Sequence, residues 1–479
     1  MTKIIDHRYA HLLCDKYHIT DQSMVIVVHD NREAKLLENE LSLYMDKNKI
    51  KYFPDNEILP YDHFSIPENI QKERFQILNS LNSQKEVVIT TIKSLFELYP
   101  TIDLFKSKEV FKIHDGISLK NLENILISLN YEKTNKIESL NQYAIRGGII
   151  DIFTPIYRNP LRVEIFDDEI ESIRYFDIET QLSIEKIENF KLTKSSLYGL
   201  DEKNLKLFRD NWRNYFQNND ERHCEIFQKL NKNEKVEGSD IYLPLFFNKT
   251  STFFDLFLEY EFILLKNLDT EISLYDTYIY QRYNDENIDS ARPLLKPKDC
   301  FVHKDLVMSF CSKDKIVKAK NNYKIPCFKD FESLLRLIDN KEINNKKIIL
   351  ITSIQSEYEK LIKKFSTNIN EISNIDNAID SLNLMLSEIV RPIELNSYVV
   401  CHKEYSETVN MSLSSNDQTK SLATNKDILF KEGDYVVHEN YGIGLYSGLE
   451  VVTTNGTSNE YMKIIYSSNE ALYVPLRSV

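Results

Sequence analysis

The chain has 479 residues, enough for about three or four domains of ordinary size, and is 42% hydrophobic and 11% aromatic, so it can bury real cores. Its formal charge of −13 weighs against binding DNA or an anionic membrane through charge alone. Glycine is scarce, 10 residues where average usage gives roughly 34, and none is followed by lysine, which excludes a phosphate-cradling GxxxxGK[ST] loop. The six cysteines (Cys14, Cys224, Cys300, Cys311, Cys327, Cys401) form no CxxC pair, which suits a reducing compartment better than disulfides or zinc. The first residues carry charges throughout and no apolar core of a signal peptide. No apolar run reaches the roughly 18 residues of a membrane span. A cytoplasmic protein without a membrane partner is expected.

In chain order, Met24–Val28 reads as a buried strand, with Asp30 or Asn31 capping a helix that carries Ala34, Leu37, Leu41 and Tyr44. Val87–Thr90 predicts a second strand, followed by a helical stretch from Ile92 to Leu98 that ends at Pro100. This βαβ grammar implies a parallel sheet. From about residue 140 to 180 the period becomes two. Leu161–Phe166 and Ile170–Phe176 flank Asp167-Asp168-Glu169 as a hairpin. Charged helical sequence follows over 201–235, then apolar runs at Tyr242–Phe247 and Phe253–Leu265. Ile348–Thr352 and Glu357–Phe365 form a further strand–helix unit, and residues 406–428 read as a polar linker. Five of the ten glycines lie beyond residue 430, among short alternating segments at 435–438, 445–447, 449–453, 460–466 and 471–475. That pattern predicts a small β-barrel.

Within the hairpin, alternation sends Leu161, Val163 and Ile165 to the core and Arg162, Glu164 and Phe166 to the other face. Arginine and an aromatic on one polar face are residue types enriched at binding hot spots. Four of the 15 arginines (Arg146, Arg158, Arg162, Arg174) crowd into this stretch. The bland alternative is an ordinary amphipathic hairpin, and periodicity alone leaves both open. Asp167-Asp168-Glu169 reads as a solvated turn, since three consecutive turn residues cannot converge on one point. Gly442-x-Gly444-x-x-x-Gly448 has the wrong spacing for a dinucleotide loop. Cys300/His303 and Cys401-His402 lack second ligand pairs, and no GxSxG elbow exists. Lysine-rich stretches at 312–320 and 341–347 read as solvated faces. No catalytic residue, metal site, nucleotide site or cofactor is expected.

Three motifs carry a resemblance at the front of the chain. Tyr52-Phe53-Pro54-Asp55-Asn56-Glu57-Ile58-Leu59-Pro60-Tyr61-Asp62, Arg146-Gly147-Gly148-Ile149-Ile150-Asp151-Ile152-Phe153 and Phe166-Asp167-Asp168-Glu169-Ile170 together resemble the UvrB-related amino-terminal module. Gly433-Asp434-Tyr435-Val436-Val437-His438, Gly442-Ile443-Gly444 and Leu472-Tyr473-Val474-Pro475-Leu476 resemble the CarD-like RNA-polymerase-interacting domain. In this order the pair is similar to bacterial transcription-repair coupling factors (Mfd), a likeness that extends to Pro244-Leu245-Phe246-Phe247 and Arg292-Pro293-Leu294-Leu295.

The resemblance implies a multidomain α/β fold. A UvrB-like, degenerate RecA-type α/β domain would comprise residues 1–112 and 193–320. An inserted α+β UvrA-binding domain (113–192), a small α/β domain (321–405) and a carboxy-terminal Tudor/SH3-like β-barrel (429–479) would complete it. It further implies UvrA contacts at Arg146, Arg162 and Phe166, and an exposed strand edge for the RNA polymerase β subunit, with Leu449, Val451, Val452, Met462 and Ile464 as candidates. The likeness is to the front part of the family, which continues with two RecA-like motor domains and a regulatory domain. ATP-driven polymerase release is therefore not expected of this chain, and its UvrA surface is expected to stand permanently uncovered. A functionless remnant, a CarD-like transcription regulator and an active DNA-dependent ATPase are the rival readings.

Overall fold

A computed structural model describes residues 2–4, 9–62, 65–81, 85–102, 109–129, 131–193, 202–217, 221, 224–232, 236–265, 268–286, 292–311, 315–317, 346–365, 369–379, 382–395, 397–402, 433–438, 442–454, 457–466 and 471–475. It is a mixed α/β architecture with several sheets, divided into two units, 1–407 and 408–479. The linker expected at 406–428 and most of the two lysine-rich stretches lie outside the described residues.

The first sheet is wholly parallel, in the order Lys315–Val317, Thr2–Ile4, Glu261–Leu265, Met24–Val28, Val87–Thr91, Ile50–Phe53. Its central strands are continuous apolar runs because helices cover both faces. Asp30 caps the helix Asn31–Leu41 by accepting the Glu33 N–H at 2.8 Å. The helix expected over Ile92–Leu98 is only one tight turn, Ile92–Leu95; Leu98–Tyr99 is instead a short strand paired with Ser251–Thr252. Tertiary packing overrides the local pattern there, for the Tyr99 ring is buried against Phe53 and Phe253.

The 54–62 segment leaves the carboxyl end of Ile50–Phe53 and is clamped from several directions. Arg74, 3% exposed, donates to Pro54 O at 2.8 Å and meets Asn56 and Glu97. The Arg292 guanidinium caps Tyr61 O at 3.3 Å and Asp62 O at 2.5 Å, while Tyr61 donates to Leu295 O at 3.0 Å. Tyr242 donates to Pro293 O at 2.9 Å. The motifs at 52–62, 244–247 and 292–295 thus meet in one buried structure.

Residues 109–192 build a second layer. Six strands pair in the order Ser183–Lys186, Glu169–Phe176, Leu161–Phe166, Ile149–Ile152, Gln142–Arg146, Glu132–Lys133. The helix Leu119–Ser128 buries Leu122 and Leu126 in the same core as Tyr143, Val163, Ile165 and Ile173. Glu109–Lys112 pairs with Asn189–Leu192, so the segment's two ends lie together.

A third sheet, Ile369–Glu371, Leu382–Leu386, Lys347–Thr352, Tyr398–His402, Ile393–Glu394, adjoins the first through a buried ionic cluster. Arg391 donates to both oxygens of Glu40 at 2.5 and 2.6 Å and to Glu33 at 2.9 Å, where Tyr9 also donates at 2.9 Å.

In the second unit, Tyr435–His438, Gly442–Thr454, Thr457–Ile465 and Ala471–Pro475 form an antiparallel meander. The two segments expected at 445–447 and 449–453 are one strand with an irregularity between Tyr446 and Leu449, where Gly448 has φ +94°. Among the described residues the sheet is four strands wide, with no pairing of its first strand to its last.

Candidate docking surfaces

Two hairpins of the 109–192 layer turn at the same end of their sheet. Gly147-Gly148 joins Gln142–Arg146 to Ile149–Ile152, and Asp167-Asp168 joins Leu161–Phe166 to Glu169–Phe176. Both aspartates have positive φ (48° and 59°), the geometry of a two-residue turn whose twist matches the strands. Glu169, expected in the turn, begins the next strand and receives His114 Nδ1 at 2.6 Å. A side chain at Gly148 would force the backbone to shift, since a Cβ there would stand 2.7 Å from the Ile165 carbonyl oxygen.

This end presents the expected aromatic. Phe166 is 74% exposed, and Arg146 is exposed on the neighbouring hairpin with its Nη2 donating to Asn135 O at 3.1 Å. An exposed phenylalanine and an exposed arginine at the same end of one sheet offer a partner apolar area with a charged rim.

Arg162 shares the face with Phe166, as alternation requires, but is drawn inward. Its Nε and Nη2 donate to the two oxygens of Asp151 at 2.7 and 2.9 Å, and its Nη1 donates to Gln181 O at 3.3 Å. The guanidinium lies 4.3 Å over the ring of Phe176, which is fully buried. Hydrogen bonding to the Asp151 carboxylate pushes Arg162 above its usual pKa range. Arg162 thus lies on the face alternation assigns it, with its guanidinium mostly covered. Ile137, Ala144, Phe153 and Phe176 form a small apolar cluster that covers this half of the face. Beside it, hydrogen bonding from Ser172, helped by Arg174, holds the Glu164 carboxyl below its usual range. Sequence reasoning missed Asp151 and Phe176. The register signal was available for Asp151, which sits directly opposite Arg162.

In the second unit, among the described residues, Tyr435–His438 pairs only with Gly442–Leu445. Over Leu449–Thr454 the long strand pairs with Thr457–Met462 on one side and, among the described residues, has no strand on the other. Leu449, Val451 and Val452 occupy this half-open stretch. Met462 and Ile464 do not: they are 2% and 4% exposed in a core with Val436 and Tyr446. Their strand is paired on both sides. In this structure both the side chains and the main chain of these two residues are already engaged within the sheet. Gly444 is part of the reason, since a Cβ there would collide with Ile464 Cγ2.

The first sheet bears on nucleotide chemistry. A phosphate would sit at the first helix N-terminus beyond a parallel strand. Here the Asp30 carboxylate already accepts the helix N–H, with His29 and Glu271 beside it. The cavity nearby, beside Asp55, Tyr61, Lys93, Glu97 and Asp240, is about 80 Å3, far below the roughly 300–1,000 Å3 of usual ligand pockets.

Two family models match the chain: a UvrB interaction domain over residues 110–198 and a CarD-like/TRCF RID domain over residues 430–479. The chain thus carries one segment that matches a UvrB interaction domain and another that matches a CarD-like/TRCF RID domain. Along nearly its whole length it is similar to transcription-repair-coupling factors. It is 26% identical to that of Rickettsia prowazekii (96% of this chain, 43% of the relative), 26% to that of Haemophilus influenzae (95% and 42%) and 25% to that of Escherichia coli (95% and 42%). It is homologous to their amino-terminal part and spans about two-fifths of their length. No helix among the described residues is long and apolar enough to cross a membrane.

Proposed function

We propose that this chain is the docking part of a transcription-repair coupling factor, acting in the cytoplasm. It binds RNA polymerase stalled at DNA lesions through residues 429–479 and recruits UvrA through the 113–192 domain, bringing nucleotide excision repair to the lesion. The observation that carries this reading is the pairing of the two matched modules on one chain, each with an accessible docking element. For UvrA that element is the hairpin end bearing Arg146 and Phe166, with Arg162 on the same face. For polymerase it is the half-open strand at Leu449, Val451 and Val452, suited to main-chain pairing with an extended strand of the β subunit. The second unit closes as a Tudor/SH3-like barrel in this reading, and the first sheet is a degenerate RecA-type domain. The chain itself hydrolyses no ATP, because Asp30 fills the anion position and no GK step exists.

Purified UvrA and core polymerase, titrated separately against the chain, test this. Phe166→Ala with Arg146→Ala should abolish UvrA binding and spare polymerase; Leu449→Arg with Val451→Arg should do the reverse. A wild-type chain that captures neither partner would sink the proposal.

A further inference from the structure

Both faces of the second unit's sheet carry apolar side chains. Val436, Tyr446, Met462 and Ile464 fill one face as its core. On the other face, register sets Tyr435, Leu445 and Ile465 in one row across three strands, with Ile443 two residues from Leu445. Tyr435 is 79% exposed and Ile443 68%, while Leu445 and Ile465 are half-buried. Single apolar residues scattered over a surface need no explanation, but residues in register form a patch, and exposed patches mark contacts. Tyrosine suits such a contact, because it offers a large rigid area at little cost in conformational entropy.

The patch adjoins the open edge. The chain joins the long strand at Gly433, φ +97°, whose N–H donates to Tyr446 O at 2.8 Å. Beyond Tyr446, among the described residues, no strand flanks Leu449–Thr454 on that side. A partner strand laid there would run in line with Tyr435–His438, and its near end would come up against Gly433 and Tyr435. Space is open at that point, for nothing lies within 4 Å of a Cβ placed on Gly433. The exposed Asp434 beside Tyr435 disfavours nucleic acid as the occupant.

We propose that Tyr435 and Ile443, backed by Leu445 and Ile465, form a side-chain anchor for RNA polymerase, separate from the strand edge. The anchor receives an apolar side chain that flanks the polymerase strand, and so fixes where along the edge that strand begins. Main-chain pairing alone reads little sequence and lets a strand slip, and an apolar anchor at one end stops the slip. This rests on the polymerase reading above.

The test titrates core polymerase against the full chain, with melting temperature and sedimentation velocity as companion readouts. Leu449→Arg with Val451→Arg, which probes the underlying reading, should abolish binding. Tyr435→Ala with Ile443→Ser should weaken it about tenfold or more, with the melting temperature and UvrA affinity of wild type. Tyr435→Phe, which keeps the ring, should bind within about threefold of wild type. Should the double variant melt early, Tyr435→Ala alone decides, with a loss of about fivefold or more expected. If the edge variant loses polymerase while the folded patch variant binds like wild type, the anchor is overturned and the polymerase reading stands. A patch variant that keeps its polymerase affinity but sediments as a smaller species also overturns the anchor, assigning the face to a second copy of the chain. An unaffected edge variant overturns the polymerase reading, and the anchor with it.

Discussion

The 52–62 segment and the hairpin ends at 146–169 carry motifs of similar specificity in the sequence, yet the fold uses them in opposite ways. The first is buried architecture. Arg74, Arg292, Tyr61 and Tyr242 spend their polar atoms on its carbonyls and on one another's loops. The second ends in an exposed ring whose removal costs the fold little. A family signature therefore marks constraint without saying which kind. What separates scaffold from recognition is whether the motif's side chains are already satisfied inside the molecule.

The sharpest way to break this contrast is Arg74→Ala. It would leave Glu97 buried without its cation and uncover the Phe53 and Tyr99 rings that the guanidinium overlies at 4.9 and 5.6 Å. A loss of about 3–5 kcal/mol is expected for breaking such a pair from one side, read in urea unfolding of the 1–407 unit. A loss no larger than the about 0.5 kcal/mol of an ordinary surface change would show that the segment is not clamped. Gly148→Ala comes next. Its Cβ would press on the backbone oxygen of Ile165, which cannot swing aside as a side chain could. A cost of about 1–3 kcal/mol is expected, together with weaker UvrA binding as the hairpins part. Gly147, with nothing within 4 Å of a Cβ, is the control: it would feel only the strain of its φ of +62°.

Much of this was legible beforehand, and the reason is period. Met24–Val28, Val87–Ile89 and Ile348–Ile351 are continuous apolar runs, and Leu161–Phe166 alternates, so a window of a few residues holds the whole signal. What stayed hidden depends on distant partners. Leu98–Tyr99 becomes a strand because of Ser251–Thr252, some 150 residues on. Alternation placed Arg162 on the correct face, but only the cover from Ile137, Phe153 and Phe176 decides that the face is closed there. Likewise, period two cannot tell which side of a small sheet is core, and Met462 and Ile464 fell on the buried one. At the helix start, the sequence offered Asp30 or Asn31 as the cap, and the structure shows that Asp30 takes the part.

The smallest expected effect separates exposure from motif membership most finely. His29 lies at the same carboxyl end of the first sheet's parallel strands as the 54–62 segment, and its near neighbour Asn31 donates to Glu57 at 3.0 Å. Yet its side chain is 53% exposed, like that of a recognition residue. Hydrogen bonding to Asp30, with the nearby Glu271 carboxylate, raises the imidazole to about 8. A basic group whose folded pKa is raised contributes stability that is fully present below about pH 6.5 and fades as pH rises through about 8. Solvent screening should hold that contribution below about 1 kcal/mol. The melting-temperature gap between wild type and His29→Gln should therefore be small at pH 6, vanish by pH 9 and shrink with added salt. A gap that persists at pH 9 would mean that His29 is held by packing, like Arg74, and that position at the carboxyl end of the strands outweighs exposure.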